Sequence, residues 1–334
     1  MQHRKVGENG TNFSAVGIGA MSFSNFYGAT TVENSHAILD AAMELGVTHI
    51  DTANVYGMGG SEDAIGSFLK ARGAEAHAHF TIATKATITR DADGNRCFDN
   101  SLEHLEAELD KSLQRLGVEC VDLFYAHRRD TRIEIEEATE NLAALVKKGK
   151  TKAIGFSEIA PSSLRRAAAV HPIAAVQSEY SLSVRSPEMG LVQTCAELDT
   201  ALVAFSPVGR SFLTDNPLSW EAVQDVGGWI ASNPRFIEPN YSANIAGSDP
   251  FRALAAEMGV PAAGLAIAWL LRQGDHVVPI PGTRSVEHFR ELVKGAEMTL
   301  TTEDVAQIES VLPIGWAHGD RYSTGQWVGP ERYC

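Results

Sequence analysis

The sequence has few of the cysteines that disulfide-stabilised or zinc-binding proteins need. It contains 4 cysteines in 334 residues, Cys97, Cys120, Cys195 and Cys334, which form no CxxC pair and have no neighbouring histidines. This spacing predicts neither a disulfide framework nor a zinc site. Reduced thiols that serve packing are the simplest interpretation, and we expect no metal ion.

Positive charge and long hydrophobic runs are also scarce. The chain has 28 basic and 42 acidic residues, a formal net charge of -14, which repels phosphate backbones and anionic membrane surfaces. No apolar run approaches the roughly 18 residues of a membrane span. The N-terminal stretch MQHRKVGENG lacks the apolar core of a signal peptide. We therefore expect a cytoplasmic protein that binds neither nucleic acid nor membranes.

Short apolar runs typical of strands alternate with amphipathic patterns typical of helices along the whole chain. In VENSHAILDAAMELG, for example, apolar residues recur at three- and four-residue steps before a glycine typical of a helix C-cap. Eight such strand and helix units, with no break in composition, predict an α/β protein whose residues 1–334 form one (β/α)8 TIM barrel domain. The strand candidates span 14–20, 48–53, 80–86, 121–127, 152–158, 174–180, 201–207 and 276–282.

Two further stretches stand out from this alternation. Residues 209–249, rich in Pro, Asn, Ser and Gly, follow the seventh strand candidate and predict a long functional loop that orders as a lid over a bound ligand. The tail, residues 313–334, carries the aromatic residues Trp316, Tyr322 and Trp327. We expect these aromatic residues either to cap the barrel or to close over a substrate.

Four residues of distinctive chemistry lie at or near predicted strand ends, where α/β enzymes keep their active sites. Asp51 and Tyr56 lie five positions apart in THIDTANVYG, whereas Lys85 and His127 close the runs FTIATK and VDLFYAH. A neighbouring ammonium group lowers the pKa of a tyrosine from its usual value of about 10. We expect Lys85 to do this for Tyr56, with Asp51 holding the lysine in place. Together the four residues predict a site that polarises and protonates a carbonyl.

Other interpretations of these residues remain open. Each residue alone has an ordinary structural explanation, and Lys85 alone also fits the Schiff-base lysine of an aldolase. The segment GIGAMS, residues 17–22, resembles the dinucleotide fingerprint GxGxxG after a strand. Its last position is Ser22, however, and six further strand and helix units follow, which disfavours a Rossmann domain.

Several motifs together resemble one known family. The segments GIGAMSF, THIDTANVYG, GSED, IATK, VDLFYAHRRD, KAIGFSEI, VQSEYS, AFSPVGR and PIPGTR occur in this order between residues 14 and 293. In these motifs the chain is similar to the aldo-keto reductase superfamily, and to its bacterial and plant-type soluble branch. The resemblance implies reversible, NADPH-dependent reduction of a small aldehyde or ketone by a monomer or small homo-oligomer. A redox-sensing regulatory subunit of the same fold that binds the cofactor is the alternative.

The resemblance also implies roles for individual residues. Tyr56 is the implied proton donor, Lys85 and Asp51 tune it, and His127 orients the carbonyl. Ser157 and Gln177 are the implied partners of the nicotinamide carboxamide, with Glu158 beside them, and Phe205 is implied to stack on the ring. Arg284 is implied to bind the 2′-phosphate that distinguishes NADPH from NADH, the second cofactor candidate. The full implied set of cofactor contacts is Ala20, Met21, Asp51, Ser157, Gln177, Phe205, Ser206, Pro207, Val208, Gly209, Arg210, Gly282, Thr283, Arg284 and His288.

Overall fold

The computed structural model describes residues 1–7 and 11–333, so Cys334 lies outside the described residues. The strands of this part of the chain are β1 His3–Val6, β2 Thr11–Ser14, β3 Ile18–Gly19, β4 His49–Asp51, β5 Thr81–Ala86, β6 Ile88–Arg90, β7 Arg96–Phe98, β8 Leu123–Ala126, β9 Ile154–Ser157, β10 Ala175–Glu179, β11 Ala201–Phe205 and β12 Val277–Pro279. The α-helices are α1 Val32–Leu45, α2 Gly60–Arg72, α3 Ala74–His79, α4 Leu102–Leu116, α5 Ile135–Lys147, α6 Pro161–Ala168, α7 Leu191–Glu197, α8 Trp220–Val226, α9 Gly228–Ala231, α10 Asn240–Glu257, α11 Ala262–Leu271, α12 Val286–Lys294 and α13 Thr302–Val311.

Eight of these strands form one parallel sheet that closes on itself. Their order is β12, β11, β10, β9, β8, β5, β4, β3. The amides of Gly17 and Gly19 donate to the carbonyls of Pro279 and Pro281, each at 2.9 Å, and so join the first strand to the last. A Cβ atom on Gly19 would lie 2.6 Å from the carbonyl oxygen of Ile280, so only glycine permits this closure. Each of the eight strands overlaps its predicted run, and the (β/α)8 fold is confirmed.

The amino ends of the strands are closed by a hairpin that the sequence did not reveal. Strands β1 and β2 pair antiparallel, and their side chains Val6 and Phe13 join the hydrophobic cluster inside the barrel. The ring of Phe13 stacks on that of His49, with centroids 3.7 Å apart. Burial lowers the pKa of His49 to about 3. The hairpin therefore covers the amino ends of the barrel strands.

The helix boundaries follow local signals in the sequence. Helix α1 begins after Thr31, whose side chain accepts a hydrogen bond from the amide of Asn34, and ends at Gly46, where φ is +70°. This agrees with the glycine C-cap expected from the sequence. Helix α13 begins with a reciprocal capping box between Thr301 and Asp304.

The expectation that residues 209–249 form one irregular loop is wrong. The segment contains α8, α9 and the first turns of α10, and its apolar residues Phe212, Val223, Ile230, Phe236 and Tyr241 form a small core. The sequence did not predict these helices, because the segment is rich in proline and glycine and its apolar residues follow no single helical period. Helix α10 also continues through Pro250, although an internal proline usually marks a helix end.

Helices α10 and α11 are the part of the described chain that comes nearest to the length and composition of a membrane span. Within residues 1–7 and 11–333, no single helix is long and apolar enough to cross a membrane. The pair α10 and α11 passes the test of length and composition only when the two are taken together, and they meet at a bend of 90°. Nine of the ten residues of α11, Ala262 to Leu270, are buried in the protein.

Candidate active site

A cavity of about 830 Å³ opens at the carboxyl ends of the barrel strands, which is within the range of small-molecule sites. It brings together most of the predicted site residues, whereas Ala20, Lys85 and Gly209 lie outside its lining. Across the described residues, no three His, Cys, Asp or Glu side chains are grouped so that they could hold a metal ion. The predicted residues that line the cavity are Met21, Asp51, Tyr56, His127, Ser157, Gln177, Phe205, Ser206, Pro207, Val208, Arg210, Gly282, Thr283, Arg284 and His288.

A buried ion pair lies behind one wall of this cavity. Lys85, at the end of β5, is fully buried and donates hydrogen bonds to the Asp51 carboxylate and, at 2.7 Å, to the carbonyl of Thr52. Gln177 Nε2 donates to the other Asp51 oxygen at 2.7 Å. Burial lowers the pKa of Lys85 and raises that of Asp51, while their mutual attraction opposes both shifts. The lysine thus acts on the cavity by its charge and is not itself exposed to a ligand.

Tyr56 lies in front of this pair, at the start of the 310 turn Tyr56–Gly59. Gly57 in this turn has φ +61°, and a Cβ atom there would come within 2.8 Å of Ser24 Cβ. Lys85 Nζ lies 5.1 Å from the centroid of the Tyr56 ring. The expected depression of the tyrosine pKa is wrong for this structure, because burial and then the charge of Asp51 raise the pKa of Tyr56, with only Arg128 opposing. The phenol therefore keeps its proton at neutral pH and can act as a donor.

His127 lies edge-on to Tyr56, with ring centroids 5.8 Å apart and an interplanar angle of 82°. Burial, followed by the charges of Arg128 and Lys85, lowers the pKa of His127 well below its usual value. Its Nδ1 is buried and has no hydrogen-bond partner among the described residues. A proton on Nδ1 would therefore be unsatisfied, which favours the neutral tautomer with its proton on Nε2.

The polar groups expected to hold a carboxamide come from two adjacent strands. Ser157, at the end of β9, accepts a hydrogen bond from Arg128 Nη1 at 3.0 Å and so keeps its own proton free for a ligand. Ser157 and Gln177 face each other in the β9 and β10 register. Glu158, expected beside Ser157, turns out of the cavity lining and pairs with Arg321 of the tail at 2.5 Å.

Backbone strain is concentrated at this rim. Glu158, Ser206 and Arg210 have φ values of 60°, 50° and 56°, although none is a glycine. Such conformations cost roughly 1–3 kcal/mol each and persist where the surroundings fix them, often at ligand sites. Ser206 and Arg210 both line the cavity.

The two arginines expected near cofactor phosphates differ in what they can offer. Arg210 is buried, and its guanidinium donates to Glu179 at 2.8 Å and to the Arg321 carbonyl at 2.9 Å. Its charge is therefore already neutralised. Arg284 is exposed, and Nη1 donates only to the neutral carbonyl of Ala29 at 3.1 Å. Arg284 is thus the better candidate for binding a phosphate.

Ile88 and Arg96, from the hairpin of β6 and β7, are lining residues that were missed in the sequence. Their segment carries no local signal of this position, because the long-range fold brings it to the cavity. Trp229, in the 209–249 stretch, and Tyr322, one of the tail aromatic residues expected either to cap the barrel or to close over a substrate, also line the cavity. Arg128 had a usable signal, since it directly follows His127 at the end of β8.

Comparison with known proteins agrees with this geometry. The model of the family described as "Aldo/keto reductase family" matches residues 15–313. The chain belongs to the aldo/keto reductase family. This family membership confirms the resemblance noted in the sequence and makes the protein an enzyme, an oxidoreductase that acts on carbonyl or alcohol groups.

Individual relatives resemble this aldo/keto reductase over nearly its whole length. "Aldo-keto reductase yakc [NADP(+)]" of Schizosaccharomyces pombe is 33% identical over 326 residues, which are 96% of this chain and 94% of the relative. "Probable aldo-keto reductase 1" of Glycine max is 35% identical over 328 residues, 97% and 93% of the two chains. Among solved structures, the glycerol dehydrogenase AKR11B4 from Gluconobacter oxydans is 25% identical, with a TM-score of 0.81 and coverage of 93% of this chain and 94% of that one.

Proposed function

We propose that this enzyme reduces an aldehyde or ketone to an alcohol with NADPH, reversibly, and that Tyr56 donates the proton. One observation carries the proposal. Tyr56 and His127 meet edge-on in the cavity, and neither the Tyr56 hydroxyl nor His127 Nε2 is among the fully buried atoms that lack a partner. Two neutral donors thus face the same space, where a carbonyl oxygen can accept from both.

The groups that line the cavity match those that a nicotinamide cofactor requires. Ser157 and Gln177 supply polar groups for a carboxamide, Phe205 supplies an apolar ring face for stacking, and Arg284 at the far end supplies an unneutralised charge. When bound, the cofactor supplies a hydride for the carbonyl carbon. We favour NADPH over NADH because Arg284 can pair with a 2′-phosphate, and because the Schizosaccharomyces pombe relative is named for NADP(+).

The catalytic tetrad consists of Asp51, Tyr56, Lys85 and His127. Each of these residues then has a defined part in the reduction. As hydride reaches carbon, negative charge builds on the carbonyl oxygen, and a hydrogen bond from His127 Nε2 stabilises that charge. Tyr56 transfers its proton to the same oxygen, which completes the alcohol. Lys85, fixed by Asp51, holds its ammonium group 5.1 Å from the centroid of the Tyr56 ring, next to the phenolate that Tyr56 leaves behind.

The Schiff-base interpretation of Lys85 is not supported, because this side chain is fully buried and lies outside the cavity lining. We further propose that residues 1–334 act as one domain, in which 209–249 and 313–334 form walls of the substrate site. A small soluble substrate is the only partner that this arrangement requires.

Turnover tests the proposal. Purified enzyme with NADPH and 4-nitrobenzaldehyde should give many cycles per chain, with the alcohol as product. A single cycle followed by retention of oxidised cofactor would support the redox-sensing regulatory subunit. A lack of any NADPH-dependent reduction across a panel of aldehydes and ketones would overturn the proposal.

A further inference from the structure

Arg128 brings a buried positive charge to the cavity beside Tyr56 and His127, and within the described residues it forms no ion pair with a carboxylate. Its Nη1 donates to the carbonyl of His127 at 2.5 Å and to Ser157 Oγ at 3.0 Å, both neutral acceptors. The side chain is only 9% exposed. Other buried cations of the site do have carboxylate partners: Lys85 pairs with Asp51, and Arg210 with Glu179. A buried charge without a counterion is costly, so its presence calls for a functional explanation.

One nitrogen of this guanidinium is available to a ligand. Nε is fully buried and has no partner in residues 1–7 and 11–333. Nη2 likewise makes no hydrogen bond within those residues, but it is not among the fully buried atoms. Because Arg128 lines the cavity together with Tyr56 and His127, Nη2 can donate to a molecule bound beside the catalytic pair.

A second guanidinium approaches the same space. Arg96, on β7, lines the cavity and forms no ion pair with any acidic residue of the described chain. The Arg96 side chain is exposed on the cavity side, where partial desolvation and then the charge of Arg128 lower its pKa against the opposing effect of Tyr322, so the two cations repel each other. An anion between them would relieve this repulsion.

The acidic residues near these arginines are already engaged. Glu158 pairs with Arg321, and Asp130 pairs with Arg132. Both arginines line the cavity that Tyr56 and His127 also line, and the charge of Arg128 acts on the pKa of both catalytic residues.

We propose that Arg128, assisted by Arg96, forms a subsite for an oxyanion group of the substrate, so that the enzyme prefers carbonyl compounds that carry a carboxylate or a phosphate. The inference rests on the proposed carbonyl reduction at Tyr56 and His127. Guanidinium groups suit both oxyanions because their planar donors match oxygen pairs. The oxyanion is bound and not consumed, so the reduction itself is unchanged.

Matched substrates test the preference. The values of kcat/KM would be compared for 4-carboxybenzaldehyde against 4-nitrobenzaldehyde, and for glyceraldehyde 3-phosphate against glyceraldehyde. We expect the anionic member of at least one pair to be favoured by about 10- to 100-fold, as a charge-assisted hydrogen bond provides. The favoured pair distinguishes carboxylate from phosphate. The advantage should act mainly through KM and should shrink at high salt.

Variants then assign the preference to these residues. Arg128→Met should remove most of the selectivity ratio, Arg128→Lys should retain part of it, and Arg96→Met should reduce it severalfold. Arg90→Met is the matched control, because Arg90 pairs with Arg96 in the hairpin register but lies outside the cavity lining and bonds to the Gly94 carbonyl. If Arg128→Met fails to fold, the contrast between Arg96→Met and Arg90→Met decides.

Binding separates this proposal from the proposed function. Calorimetry with benzoate, and with uncharged benzamide as the control, measures the subsite without turnover. Benzoate should bind the wild-type enzyme at least tenfold more tightly than it binds Arg128→Met. The proposal is overturned if benzoate binds both proteins equally, if neither anionic substrate is preferred, or if Arg128→Met slows charged and neutral substrates equally. In the last case Arg128 only positions Ser157 and His127.

Discussion

The guanidinium of Arg321 forms a two-point ion pair with the carboxylate of Glu158, with Nη2 at 2.5 Å from Oε2 and Nη1 at 3.1 Å from Oε1. Arg321 belongs to the tail, whereas Glu158 directly follows Ser157 at the end of β9. Although burial opposes it, the charge of Arg321 lowers the pKa of Glu158. The pair therefore holds the tail, and with it Tyr322, against the cavity.

We expect Arg321→Met to detach the tail. Removing one partner of a buried ion pair leaves the other charge uncompensated, which costs roughly 3–5 kcal/mol. Limited proteolysis should cut the variant faster after residue 313, and Tm should fall. Arg332→Met is the control, because Arg332 is an exposed tail arginine that also packs on Trp327, at 4.8 Å from the ring centroid. Equal cleavage of the two variants would show that the ion pair does not hold the tail.

Tyr56→Phe should remove carbonyl reduction and leave cofactor binding nearly intact, because it deletes the proton donor and little else. Loss of a general acid lowers the rate by about 10²- to 10⁴-fold, measured as kcat with a good aldehyde. Lys85→Met should act on the same step more severely. Tyr241 lies outside the cavity lining, so Tyr241→Phe, which removes a hydroxyl that donates to the Leu218 carbonyl, should retain the wild-type rate. Retention of more than half of kcat by Tyr56→Phe contradicts the assignment.

Arg284→Ala should weaken NADPH binding far more than NADH binding, since this guanidinium has no carboxylate partner in the described chain and can pair with a 2′-phosphate. The loss should be about one to two decades in Kd, measured by fluorescence titration. Arg290→Ala serves as the control, because Arg290 lies on helix α12, which begins just after Arg284, but pairs with Glu44 at 2.5 Å. Equal losses for the two cofactors would assign Arg284 to the pyrophosphate or to the fold.

The pH profile of reduction should be flat across neutral pH. The pKa of His127 is lowered, so the imidazole loses its proton at a pH well below its usual pKa of about 6.5 and is uncharged at neutral pH. The pKa of Tyr56 is raised, so the phenol keeps its proton beyond its usual value of about 10. We expect kcat/KM to show no inflection between about pH 6 and pH 9. An inflection near pH 6.5 that disappears in His127→Gln would contradict the burial argument.

His49 should make stability depend on pH. Its folded pKa of about 3 lies below the unfolded value of about 6.5. Below about pH 6.5, His49 therefore binds a proton in the unfolded chain but not in the folded chain, and the stability of the folded state falls as the pH falls towards 3. At pH 5 this single group should cost about 2 kcal/mol relative to pH 7. The drop in Tm between pH 7 and pH 5 should be smaller in His49→Gln than in the wild type, but unchanged in His77→Gln, since His77 is exposed. Equal drops in all three proteins would refute the prediction.

Eight strands, the glycine end of α1 and the four candidate catalytic residues could be predicted before the structure was known. The apolar runs predict the strands, Gly46 ends α1, and the ends of parallel strands meet at one edge of the sheet. Lys85 and His127 close predicted strand runs and Asp51 ends β4, so their proximity could be expected before any contact was known. The family motifs are also short local stretches, so they could be recognised without the tertiary structure.

Which charges remain free depends on long-range contacts in the folded chain. Glu158 and Arg321 are 163 positions apart, and no pattern in either segment indicates that the pair removes Glu158 from the cavity. The same holds for Arg210, which Glu179 neutralises, and for Arg128, which no carboxylate neutralises. The pKa of Tyr56 also rises where a falling value was expected, because burial and the charge of Asp51 outweigh the charge of Arg128. Burial and ion pairing depend on long-range packing, so they cannot be predicted from any single stretch of the sequence.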